Sequence, residues 1–164
     1  MKSIRFLFSA ALVGLSTLAF AQSNAQKSFD QMKSLAGSWE GTIDGKAIQI
    51  SLRVTSMGNA LIHETRMAGK PDDPITMLYV DGDRLLLTHY CDAGNRPRMA
   101  ATMTPDGKTV DFHLLDVANL NDKQVGYMQH AVFTTVDANH HTEDWTFLAQ
   151  GKPVNAHIAL QRTK

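Results

Sequence analysis

From Gly37 to Arg162 the chain alternates apolar and polar residues in short stretches, each closed by a turn signal. A period of two demands strands with one buried face, which removes helical bundles and parallel α/β folds from consideration. Ile48, Ile50, Leu52 and Val54 alternate with Gln49, Ser51 and Arg53, and Gly58-Asn59 turns the chain into Leu61, His63, Thr65 and Met67. After the polar connection Lys70 to Pro74 come Ile75, Met77 and Tyr79, then an Asp81-Gly82-Asp83 turn into Leu85, Leu87, His89 and Cys91. Turn-forming residues at Asp92 to Pro97, Pro105-Asp106-Gly107, Asp137 to Asn139 and Gln150 to Pro153 separate the remaining strands. The stretch Val117 to Gly126 is the longest without alternation and predicts a loop at one end of the fold. Counting the segment around Trp39, this gives about ten strands joined by tight turns, the signature of an all-β, single antiparallel up-and-down barrel.

Ahead of the strands, Ser28-Phe29-Asp30-Gln31 reads as a capping box, with Phe29, Met32 and Leu35 on one helical face and Gly37 at the exit. A short helix with one apolar face, next to a barrel, is expected to close one of its ends.

Gly37-Ser38-Trp39 opens the barrel and Arg162 ends its last strand. In a closed barrel the first and last strands are neighbours, so indole and guanidinium are expected to meet as a cation–π cap, a structural closure of the floor. This Gly-x-Trp and terminal arginine resemble the calycin superfamily of lipocalins, fatty-acid-binding proteins and nitrobindin-like barrels.

Residues 1–21 read as a signal peptide. Lys2 and Arg5 form a positive start, Phe6 to Leu18 is mostly apolar, and Ala19-Phe20-Ala21 fits a signal-peptidase site. The predicted barrel domain is 22–164, exported to the periplasm or secreted, with no membrane span after cleavage. Losing Lys2 and Arg5 takes 16 basic and 16 acidic side chains to 14 and 16, a net charge of −2. No basic run remains to attract nucleic acid. Cys91 is the single cysteine, so no intramolecular disulfide is available.

Function in such a barrel depends on what points inward. Taking the more apolar register of each strand as interior sends His63, His89, Cys91, His130, His141, Glu143 and Trp145 inward, and His113 and His157 outward. Histidines and a carboxylate within an apolar cavity match the composition of a small-molecule site. The bland alternative places half of these residues at solvated rims. His89-x-Cys91 puts imidazole and thiol on one face, yet two donors make no metal centre, and a small buried thiol beside a hydrogen-bonded histidine is the simpler reading. Hydrolase, phosphate-loop and dinucleotide motifs are missing, and no catalytic residue or metal ligand is assigned.

His89-Tyr90-Cys91, Gly94-Asn95-Arg96-Pro97-Arg98, Asp116 with Asn119-Leu120, and His140-His141 with Trp145-Thr146-Phe147 together resemble the DUF1579-like group of secreted bacterial barrel proteins. The resemblance spans nearly all of 22–164 and implies a lipocalin-like fold, with no established reaction. Nitrobindin, in the same barrel class, implies haem bound by a last-strand histidine, a place His157 occupies here. Alternation with Val154, Ala156, Ile158 and Leu160 turns His157 outward, so no cofactor is expected and haem stands as an alternative. The expected partner is a small, partly apolar ligand inside the barrel. The rivals are a haem, metal or enzymatic barrel using the interior histidines, and a structural barrel with a filled interior.

Overall fold

The computed structural model describes residues 22–70, 74–121, 123 and 125–163. Residues 1–21, the expected signal peptide, lie outside them. Among the described residues the chain forms one α-helix, α1 (Asn24–Ser34), and ten strands. They are β1 (Gly37–Ile43), β2 (Lys46–Thr55), β3 (Ala60–Met67), β4 (Ile75–Asp81), β5 (Arg84–Tyr90), β6 (Arg96–Met103), β7 (Thr109–Ala118), β8 (Gly126–Thr135), β9 (His140–Ala149) and β10 (Lys152–Arg162). Each pairs antiparallel with its sequence neighbours, and β1 pairs with β10 to close the barrel. That closing ladder is short: Trp39 opposite Arg162, Glu40 opposite Gln161, and Gly41 opposite Leu160.

The helix starts earlier than the Ser28 capping box suggests. Ser23 is the N-cap, its hydroxyl accepting the Gln26 N–H at 3.1 Å. Ser23 to Gln26 repeats the Ser-x-x-Gln spacing upstream, which leaves Ser28 inside the helix, donating back to the Asn24 carbonyl at 2.9 Å. Ala25, Phe29 and Met32 are buried against the barrel, as is Leu35 at the C-cap. Phe29 and Met32 each supply roughly 2 kcal/mol of apolar burial, enough to seat a helix too short to persist alone.

Gly37 serves the first strand rather than the helix end. Its φ of 140° is open to glycine, and a Cβ there would collide with Arg162 Nη1.

Alternation holds along most strands. Leu61, Leu85, Leu87, Met99, Phe112, Phe133 and Leu160 fill the interior. In β4 the register is reversed: Thr76 and Leu78 face inward, at 1% and 0% exposure, and Ile75, in the expected inner register, is exposed. Two strands also run further than their turn signals imply. β6 takes in Pro97, which lies just outside the β5 pairing that begins at Arg98, so its missing N–H costs no bond to β5. β7 reaches Ala118 through pairing to β6 alone, with a bulge opposite Arg98 and Met99.

Candidate functional site

The two ends of the barrel differ. At the α1 end the interior is filled, with the helix as a lid. At the other end, where β5 gives way to the Cys91 turn and β8 begins, a cavity of about 440 Å³ remains. Its walls are mostly apolar, including Ile48, Met67, Met128, Trp145, Phe147 and Ile158. Polar side chains enter it from neighbouring strands, His63 and Thr65 of β3, Thr76 of β4 and His89 of β5, with Asp92 at the turn beyond β5. The volume falls within the range of small-molecule pockets, about 300–1,000 Å³. A larger depression of about 640 Å³ straddles the β1–β10 seam, between Glu40 to Thr42 of β1 and Ala159 to Gln161 of β10.

His89 is the polar centre of the cavity. A 2.8 Å hydrogen bond between Thr76 Oγ1 and His89 Nδ1 fixes the ring, and Trp145 lies 5.6 Å away, centre to centre. Burial pushes the imidazole down to about 4, with a smaller contribution from His63, so at neutral pH it is uncharged. With Nδ1 committed to Thr76, Nε2 is the polar atom left for a guest. Thr76 was hidden in the sequence by the reversed β4 register, and a polar residue inside a strand next to a buried histidine is the signal that marks it.

Beneath the cavity floor lies a second polar group, supplied mainly by β9. His141, Glu143 and Trp145 alternate on its inner face. Glu143 is fully buried, and its carboxylate accepts from His63 Nε2 at 3.0 and 3.1 Å, His141 Nε2 at 3.1 Å and Trp145 Nε1 at 2.9 Å. Burial alone would raise this carboxyl; the charge of His63 and the hydrogen bonds from both histidines overcome it and hold it at about 2. An ionised Glu143 accepts from Nε2 of both imidazoles, and each Nδ1 is buried without a hydrogen-bond partner. With three donors on its two oxygens and no solvent contact, Glu143 is a structural anion and has no lone pair directed at the cavity.

His63, His89, Cys91 and Trp145 thus meet at the cavity, whereas His141 and Glu143 sit below it. Cys91, half-buried at the rim, is held as a thiol: burial raises it, against weaker opposition from backbone hydrogen bonds. His130 is a correction. The ladder shifts between Met128, opposite Phe147, and His130, opposite Thr146, so Gln129 is an extra residue and His130 emerges on the outer surface. His157 also lies outside, 63% exposed and hydrogen-bonded through Nδ1 to Asp144 at 2.6 Å. A haem within the barrel therefore receives no ligand from the last strand.

At the floor, Arg162 covers Trp39 at 4.1 Å from the ring centre, and Trp39 Nε1 donates to the Leu35 carbonyl at 2.8 Å. His141 meets the same indole edge-on, with ring centres 4.1 Å apart. A continuous chain of contacts therefore runs from the floor through His141, Glu143 and Trp145 to His89.

No family model and no curated protein matches the sequence. Among solved structures, the crystal structure of Rv2717c from M. tuberculosis is similar with a TM-score of 0.57 and 15% identity, over 84% of this chain and 98% of that one. A protein of unknown function from the DUF3598 family of Nostoc punctiforme is similar with a TM-score of 0.50 and 10% identity, over 80% of this chain and 49% of that one. At these identities the likeness shows the barrel fold alone.

Proposed function

We propose that this barrel binds one small, partly apolar molecule in the cavity above His63 and Trp145, without transforming it. The observation that carries this reading is the neutral imidazole of His89, held by Thr76 within mostly apolar walls at the unfilled end of the barrel. Such a site rewards a guest with an apolar body and one hydrogen-bonding group matched to Nε2. Burial of Glu143 beneath three donors, and of Cys91 as a thiol, supplies no activated nucleophile or base, which favours binding over catalysis. The void itself weighs against a purely structural barrel. A calycin-like carrier of the DUF1579-like kind, exported through residues 1–21, is the fuller form of the proposal.

Native mass spectrometry with an absorption spectrum, on protein recovered from its own compartment, tests the reading. A co-purified organic molecule at one per chain supports it. A Soret band would transfer the site to the haem alternative. Protein that emerges empty and binds no apolar fluorescent probe would leave the filled-interior reading in its place.

A further inference from the structure

Outside the barrel, on the face opposite the cavity lining, the β8 bulge brings together a trio that alternation alone would have split. Asp111 and His113 are two residues apart on β7 and share its outer face, and His113 stands opposite His130 on β8. Among the described residues, the side-chain ligand atoms of these three lie within 4.8 Å of one another. His130 Nε2 is 2.6 Å and His113 Nε2 3.4 Å from the same Asp111 oxygen, and the two rings stack with centres 5.1 Å apart. All three are reachable from solvent, His113 at 59%, Asp111 at 34% and His130 at 32% side-chain exposure.

We infer that Asp111, His113 and His130 form a surface site for a divalent first-row transition cation, zinc or copper in particular. Two imidazoles and one carboxylate suit these ions, whereas calcium and magnesium prefer all-oxygen shells. Tetrahedral bonds of about 2.1 Å place neighbouring ligand atoms about 3.4 Å apart. The His113–Asp111 spacing already meets that value. His130 has to withdraw by under one ångström and move its proton from Nε2 to Nδ1, exchanging its hydrogen bond to Asp111 for a metal bond. Three protein ligands leave the remaining coordination positions to water or a partner group.

The surroundings also fit. The β7–β8 ladder ends at His113 and His130, and each strand carries a bulge just beyond, at Leu115 and Gln129. Bulges re-aim side chains next to functional sites, and here one turns His130 out to meet His113. A metal at this point would tie the two strands together at the end of their backbone ladder.

Zinc titration of the tag-free chain by calorimetry, with a copper electron paramagnetic resonance spectrum, tests the assignment. The expected result is saturable binding of one zinc per chain, a copper signal split by two nitrogens, and a raised melting temperature. His113→Asn and His130→Asn should each weaken zinc binding by roughly tenfold or more. Both positions are exposed, so circular dichroism should show the variants folded. His157→Asn, which removes another exposed His–Asp pair, should leave zinc binding intact. The assignment is overturned if the native chain binds no zinc saturably, if one-to-one binding survives in the double variant His113→Asn/His130→Asn, or if His157→Asn weakens binding as much as the site variants do.

Discussion

Arg162 lies with its guanidinium 4.1 Å from the centre of the Trp39 ring, and the two residues face each other across the seam that closes the barrel. The same guanidinium donates to the carbonyls of Ala36 at 2.7 Å, Ser34 at 3.3 Å and Ala138 at 3.0 Å. One side chain therefore satisfies the end of α1, covers the buried indole and holds the β8–β9 turn.

Because closure rests on so few residue pairs, its loss should be felt throughout the fold. Arg162→Ala should destabilise by about 2–3 kcal/mol through lost charge-assisted hydrogen bonds and cation–π attraction. Trp39→Ala should cost about 3–5 kcal/mol because it empties a buried site that also supports His141. Urea unfolding of the single and double variants gives the coupling between them. Losses that simply add would mean the stack contributes nothing of its own.

Acid should weaken the fold in two stages. The His89 imidazole is lowered from 6.5 to about 4 by burial, so between those values the unfolded chain takes up a proton the folded chain refuses. Stability therefore falls as pH drops through that window, by about 3 kcal/mol, and this contribution levels off below it. Glu143 is lowered from 4.5 to about 2, so the stability it contributes is present above 4.5 and is lost as pH falls from there. His89→Gln should flatten the first stage of an unfolding free energy against pH curve. An unchanged slope in that variant would mean His89 is not held neutral.

Much of this is written in the chain. On β9 plain alternation places His141, Glu143 and Trp145 on one inner face, and the Trp39–Arg162 contact follows from barrel closure. What joins His63 to Glu143 is less visible, because the two lie 80 residues apart and meet only across the closed interior. Thr76 escaped because apolar weight favoured Ile75, Met77 and Tyr79, and the deciding interaction, its bond to His89, belongs to a neighbouring strand. His130 escaped for a different reason: one extra residue at Gln129 inverts the parity of everything beyond it, and no glycine or proline announces the bulge.

Cys91 offers a direct view of the cavity rim. Its thiol is half-buried and raised, so a bulky thiol reagent should label the folded protein slowly and the unfolded protein fast. An apolar probe bound in the cavity should slow the folded reaction further. Equal rates with and without bound probe would separate Cys91 from the binding site.

The cavity can also be filled from within. Ala156 of β10 lines it beside Ile158, opposite Trp145 in the β9 ladder. Ala156→Phe adds a ring where the structure has a void, so it should abolish apolar-probe binding while changing stability by less than about 2 kcal/mol. His89→Gln should act differently, keeping the space but altering the polar contact, and should weaken a hydrogen-bonding guest by about 1–3 kcal/mol while sparing a purely apolar one. The pair of variants separates occupancy from recognition. Probe binding that survives Ala156→Phe unchanged would place the guest outside the barrel, and equal losses for polar and apolar guests in His89→Gln would remove His89 from the role of reader.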